Sequence, residues 1–205
     1  MKYLSSLFLG LMIFACSALA QATVPADVFV KSVADDVLTI VKRDKAIQNG
    51  DQEKIFALAE EKIVPNFNFD HVCKLVLGKN YSKATKEQQE AFEREFRSLL
   101  IRTYASALSK YRNQTIEYKP LRDAADDKDV VVKTQILQPG GQPLAVDYSL
   151  EQVGDVWKVY DITIEGVSLV TNYRGQFSNE VRQGGMDGLI QKLADKNKSN
   201  AAVKK

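Results

Sequence analysis

The spacing of apolar residues changes twice along the chain. From Val24 to Lys45, Val30, Val33, Ala34, Val37, Leu38 and Val41 recur at helical intervals and predict one apolar helix face. Asn49-Gly50-Asp51 interrupts that pattern, and Asp51 is placed to cap a second helix through Ile55, Leu58, Ala59 and Ile63, ended by Pro65. Asp70 is read as the cap of a short helix to Leu77, closed by Gly78. Thr85-Lys86-Glu87-Gln88 has the form of a capping box and opens the longest predicted helix, to about Arg112. Its apolar face carries Phe92, Phe96, Leu99, Leu100, Thr103, Tyr104, Ala107, Leu108 and Tyr111, while Glu87, Glu90, Glu93, Arg94 and Arg97 fall largely elsewhere.

Beyond Asn113 the period drops to two. Strands are predicted over 115–122, 130–137, 144–151 and 156–164, joined at Asp126-Asp127-Lys128, Pro139-Gly140-Gly141 and Gly154-Asp155. Turns this short imply an antiparallel meander. Helical spacing returns after Gly166: Ser168 can cap a helix bearing Leu169, Val170, Tyr173, Phe177 and Val181, Gly184-Gly185 interrupts it, and a last helix runs from Asp187 to about Ala194. Residues 196–205 read as a polar, basic tail. The expected fold is α+β, a four-stranded antiparallel meander flanked by N- and C-terminal helices. Helices laid on one sheet face leave either a filled core or a cavity between the layers.

Residues 1–20 read differently. Met1-Lys2-Tyr3 is a short positive start, Leu4 to Ala15 is uncharged and mostly apolar, and Ala18-Leu19-Ala20 is a small-x-small cleavage site, which together predict a secretory signal peptide. The run is too short to span a bilayer comfortably. Ile13-Phe14-Ala15-Cys16 is the competing reading, a lipoprotein-type box that the bulky Phe14 fits poorly. Removal of residues 1–20 takes away Cys16 and leaves Cys73 without an internal disulfide partner, so packing must hold residues 21–195 as one domain. Cys73 lies in the apolar stretch His71 to Leu77 and reads as a buried small hydrophobe.

Composition narrows the chemistry. Apolar residues make up 45% and charged residues 26% of 205, and the formal net charge is +2, which argues against a disordered chain and a basic nucleic-acid binder. With one His and two Cys, a tetrahedral Cys/His zinc site within this chain is excluded by count, and no metal or cofactor is expected. There is no phosphate-cradling glycine loop, Gly-x-Ser-x-Gly or His-Glu-x-x-His. His71 stands near a helix start, where a surface or capping role outweighs a catalytic one. Asp147, Asp161 and Glu165 sit on strands and could pair as acid and base, although strand carboxylates more often face water or a cation. Asn113-Gln114-Thr115 matches a glycosylation sequon, a pattern short enough to arise by chance.

Several blocks together resemble a known family. They are Phe69-Asp70-His71-Val72-Cys73-Lys74-Leu75-Val76-Leu77-Gly78-Lys79-Asn80-Tyr81, Ala84 to Gln89, Leu100-Ile101-Arg102-Thr103-Tyr104-Ala105-Ser106-Ala107-Leu108 and Gln138-Pro139-Gly140-Gly141-Gln142-Pro143. Trp157-Lys158-Val159-Tyr160-Asp161-Ile162, Glu165-Gly166-Val167-Ser168-Leu169-Val170-Thr171-Asn172-Tyr173-Arg174 and Gly184 to Leu189 complete the set. The chain is similar to the bacterial MlaC family, also called toluene-tolerance proteins. The resemblance implies an NTF2-like cavity and a soluble periplasmic phospholipid carrier, monomeric and without catalytic residues. Its implied partners are an inner-membrane ABC transporter complex carrying an MCE-domain protein and an outer-membrane lipoprotein–porin complex, with nucleic acid excluded, and its implied role is maintenance of outer-membrane lipid asymmetry.

On that reading, acyl chains are expected between the long helix and the sheet, near the turn at Glu165 to Ser168. The candidate lining is Leu75, Phe96, Leu99, Leu100, Tyr104, Leu108, Val146, Tyr148, Leu150, Tyr160, Ile162, Ile164, Val167, Leu169, Val170 and Tyr173. Some of these must be ordinary core, and the inward face of the fourth strand is left open. Arg102 and Arg174 are candidates to touch a phosphate. Two other readings remain beside it: a periplasmic protein-binding adaptor with a filled core, and a small NTF2-like enzyme working through Asp161 or Glu165.

Overall fold

A computed structural model describes residues 24–121 and 127–202. The predicted signal peptide and the first residue of the Asp126-Asp127-Lys128 turn lie outside those residues. The first helix, α1, spans Ala26–Arg43. Asp44 then breaks it by capping the four-residue α2, Lys45–Gln48, so the single helix expected to Lys45 is two. Asp51 caps α3, Gln52–Leu58, as its position predicts. The chain continues through one π turn, Ala59–Ile63, and a 3-10 turn, Val64–Asn66, which contains Pro65.

Helix α4 covers Phe69–Leu77. Its cap is Asn68 rather than Asp70, because the Asn68 side chain accepts from the His71 amide while Asp70 is taken up by Lys74 and Tyr81. Thr85 and Gln88 form the reciprocal capping box at the head of α5, Lys86–Tyr104. This helix ends short of the expected Arg112. A break at Ala105 separates it from α6, Ser106–Ser109.

Among the described residues the sheet has five strands in sequence order, all antiparallel: β1 Thr115–Tyr118, β2 Asp129–Leu137, β3 Leu144–Val153, β4 Val156–Ile164 and β5 Val167–Ser168. The two-residue β5 escapes a period-two reading because no alternation exists in so short a strand. The register shifts between Ser149 and Leu150 of β3, which face Asp161 and Val159 of β4 and leave Tyr160 as an extra, unpaired residue. This bulge explains why β4 has no single inward parity. Trp157 and Val159 share a face before it, and Ile162 and Ile164 join that same face after it.

Helix α7, Leu169–Ala202, follows β5 and turns sharply at Gly185, where φ is 67° and ψ is −172°. Its first half runs antiparallel to α5, setting Tyr173 and Phe177 edge-to-face against Phe92 and Phe96 with ring centroids 5.0–5.5 Å apart. Its second half runs back alongside α5. Gln88 Nε2 donates to Asp187 Oδ1 at 2.8 Å, and Asn197 Nδ2 donates to the Glu95 carbonyl at 2.9 Å. The tail predicted from residue 196 is therefore helical through Ala202, with Asn197 buried.

Three apolar clusters hold these layers. One joins α4, α5 and α7 around Phe92, Phe96 and Leu189. A second joins α1, α3 and the end of α5 around Val41, Ile55 and Ile101. The third seats Ala26 and Val30 of α1 on Val130, Val132, Leu150 and Trp157 of the sheet. There the indole Nε1 of Trp157 donates to the Val24 carbonyl at 2.8 Å.

Gly184 and Gly185 separate two effects. Neither has a neighbour that an added Cβ would meet within 4 Å, but only Gly185 holds a positive φ. Gly185→Ala is expected to lower stability by about 1–3 kcal/mol through backbone strain. Gly184→Ala is expected to raise it by up to about 1 kcal/mol through helix propensity. Equilibrium urea unfolding of the two variants checks both signs.

Candidate functional site

The three clusters do not merge. Between them lies a cavity of about 560 Å³. Its floor is the far half of the sheet face, where Ile116, Ile136, Leu144, Val146, Tyr148, Ile162 and Ile164 fall in register across four strands. The near half of the same face, Val130, Val132 and Leu150, is covered by α1 and is solid core. The roof is built from Phe96, Leu100, Ile101 and Tyr104 of α5, Ala107 and Leu108 of α6, and Leu169 and Val170 of α7.

Of the predicted lining, Phe96, Leu100, Tyr104, Leu108, Val146, Tyr148, Tyr160, Ile162, Ile164, Leu169 and Val170 border this cavity. Five do not. Leu99 and Tyr173 are buried in the α4–α5–α7 cluster, and Leu150 is buried under α1. Leu75 is half-buried on α4 away from the wall, and Val167 is 56% exposed on β5. In each case helical or strand spacing marks an apolar face without distinguishing what that face meets.

The sequence reading missed one whole wall. Phe29, Val30, Val33, Ala34, Val37 and Leu38 of α1 border the cavity, as do Ala59 and Ile63 at the two ends of the π turn. Their signal was visible as the apolar stripe of α1, but a stripe reads as ordinary core. Phe67 and Phe69 extend the wall beside Val159.

The polar candidates are used structurally. Asp161 faces the cavity region with both oxygens occupied: Oδ1 accepts from the Ile162 and Val170 amides at 2.8 and 3.0 Å, and Oδ2 from the Ser168 hydroxyl at 2.5 Å. Ser168 in turn accepts from the Thr171 amide at 3.0 Å, so the pair fixes the start of α7. Glu165 accepts from the Ala145 amide at 2.5 Å, and Asp147 lies opposite Lys133 and Thr163 on the other face of the sheet. The three carboxylates are not brought together on the cavity. His71 Nδ1 lies 2.6 Å from Glu151 Oε1, which also accepts from Asn68 Nδ2 at 2.9 Å, and the imidazole stacks on Tyr160. This network ties the head of α4 to the sheet.

Neither predicted arginine borders the cavity. The Arg102 guanidinium lies over the Phe56 ring, and that of Arg174 lies over Gly78, where a Cβ would come within 3.4 Å of Nη2. Burial raises the Tyr148 hydroxyl above the ordinary phenol range, and burial together with the hydrogen bond to Asp129 pushes Tyr160 up to about 12. Burial also raises the Cys73 thiol, which keeps it protonated and inert, as its apolar setting predicts. Among the described residues no cluster of His, Cys, Asp and Glu could hold a metal ion.

An antiparallel sheet, helices packed against it and an apolar hollow between the layers define an α+β fold with internal room for an apolar molecule. The chain belongs to the MlaC family, whose model, described as MlaC protein, matches residues 31–195. It is 29% identical over 167 residues to the toluene tolerance protein Ttg2D of Pseudomonas putida, covering 81% of this chain and 77% of that protein. It is 25% identical over 195 residues to the intermembrane phospholipid transport system binding protein MlaC of Haemophilus influenzae, covering 94% and 91%. A solved structure of a phospholipid-binding protein from Ralstonia solanacearum, in complex with a phospholipid, superposes with a TM-score of 0.83 at 44% identity, covering 87% of this chain and 99% of the other.

If the hollow accepts apolar molecules, narrowing it at constant fold must reduce uptake. Val146 is buried and sits on the cavity floor. Val146→Phe adds volume toward space rather than toward packed neighbours, so its stability cost is expected to stay within about 1 kcal/mol. Enhancement of N-phenyl-1-naphthylamine fluorescence, measured on protein refolded after organic extraction, is expected to fall several-fold against the parent chain.

Proposed function

We propose that this protein is a periplasmic phospholipid carrier that holds acyl chains in the cavity and moves lipid between complexes of the inner and outer membranes. The observation that carries the reading is a large, predominantly apolar hollow inside an otherwise packed fold. Interiors are normally close-packed, and an unfilled void costs about 24 cal/mol per Å³. A hollow of about 560 Å³ with solvent-exposed residues at its rim is not a closed void, but its apolar walls still forfeit the contacts that packed neighbours would supply. An apolar occupant restores those contacts. The phospholipid in the Ralstonia protein and the transport role in the name of the Haemophilus relative support a phospholipid as that occupant.

The energetics suit exchange rather than capture. Burying acyl chains gains about 0.8 kcal/mol per methylene, so roughly thirty methylenes gain on the order of 24 kcal/mol over water. A bilayer offers nearly the same. The carrier need only match a membrane, and transfer is then near balance, with direction set by the partners at each end. The predicted signal peptide at residues 1–20 supports export, and no described helix is long and apolar enough to cross a membrane. The implied partners are the MCE-domain ABC transporter complex and the lipoprotein–porin complex.

Organic extraction of the purified protein followed by mass spectrometry tests this reading. Phospholipid is expected in stoichiometric amount. Leu100→Glu and Tyr148→Glu, which place a charge on roof and floor, are expected to lose most of it while retaining the parent circular dichroism spectrum. A parent chain yielding no lipid, or both variants retaining the parent's load, would sink the proposal.

A further inference from the structure

We propose that Lys110, on a rim it shares with Gln138, receives a phosphodiester carried by the lipid whose chains fill the cavity. The assignment rests on the reading of the cavity above and adds to it where the polar end of the molecule sits and what holds it.

The position of the mouth follows from exposure. Of the side chains bordering the cavity, only Ala107, Lys110 and Gln138 are solvent-exposed, among the described residues. All three belong to one corner. Lys110 follows α6, Gln114 Nε2 reaches back to the Lys110 carbonyl at 3.4 Å, and Thr115 pairs with Leu137, the residue before Gln138. Toward the other extremity the wall is Val30, Val72, Phe96 and Val159, all buried. An amphiphile seated tail-first therefore leaves its polar end at the Lys110 corner.

The charge at that corner is selective. Lys110 is the one cationic side chain on the cavity wall among the described residues, and it makes no ion pair with any of them. Neighbouring polar groups are occupied. The Arg112 guanidinium donates to the Ser109, Tyr111 and Gln48 carbonyls, and Gln114 Oε1 accepts from the Arg112 amide. The one acid on the wall, Asp161, is held by Ser168 and two backbone amides. What remains is a single ammonium on a flexible four-carbon stem, a point charge suited to a phosphate oxygen and indifferent to the group esterified beyond it. The rim should thus read the phosphate and not the alcohol.

The test compares two lipids with identical chains, dioleoyl phosphatidylglycerol and dioleoylglycerol, bound in competition by the refolded, extracted protein. The parent is expected to prefer the phospholipid by about tenfold, the scale of one charge-assisted hydrogen bond. Lys110→Gln should bring that preference within about twofold while leaving dioleoylglycerol binding unchanged, and Lys110→Arg should keep it. Added sodium chloride should erode the preference of the parent and not that of Lys110→Gln. An undiminished preference in Lys110→Gln, or an equal loss for both lipids, overturns the assignment and leaves the cavity reading intact. So does a ³¹P signal showing that inorganic phosphate alone binds at Lys110 without any lipid preference. Failure of the parent to bind either lipid overturns the cavity reading and this assignment with it.

Discussion

The structure depends on an apolar sheet face longer than the helix laid across it. Where Ala26 and Val30 reach the sheet, Val130, Val132 and Leu150 become ordinary interior. Farther along the same strands nothing comes close enough to seal Ile136, Leu144, Val146 and Ile164. The hollow is thus a region where three separately packed clusters fail to converge. Each cluster is close-packed in its own right, and none of the three fills the space between them.

Polar contacts hold this spacing open. Asp161 and Ser168 fix where α7 leaves the sheet, and Asn68, His71 and Glu151 fix where α4 meets it. Two of the walls are therefore set by hydrogen bonds anchored in β3 and β4. Edge-to-face contacts of Tyr173 and Phe177 with Phe92 and Phe96 then clamp α5 to α7, with Phe96 also bordering the hollow. Mostly apolar walls of this kind suit a container whose contents are held by shape and oiliness rather than by directional bonds.

Much of this was legible in the residues. Element order, the antiparallel meander, the caps at Asp51, Thr85 and Ser168 and the break at Gly184-Gly185 follow from local chemistry that acts over three or four residues. What escaped the reading depends on distant partners. Asp70 reads from the sequence as the cap of α4, and only the folded contacts show Lys74 and Tyr81 claiming it while Asn68 caps the helix. The bulge at Tyr160 concealed which face of β4 points inward, because one unpaired residue shifts parity halfway along. Periodicity marked the apolar stripes of α1 and α5 correctly, but the same stripe spells core at Leu99 and cavity wall at Val33. Sequence reports that a side chain avoids water and says nothing about what replaces it.

The hydrogen bond from Trp157 to the Val24 carbonyl has a spectroscopic consequence. The chain holds one tryptophan, and it sits at the sealed end of the sheet, against α1 and off the cavity wall. Its intrinsic emission therefore reports on the seating of the amino-terminal helix, and it does so one layer behind Val30 and Val159 of the cavity wall. An occupancy sensor requires a second fluorophore on the far rim, with the native indole kept as the internal reference for an intact fold.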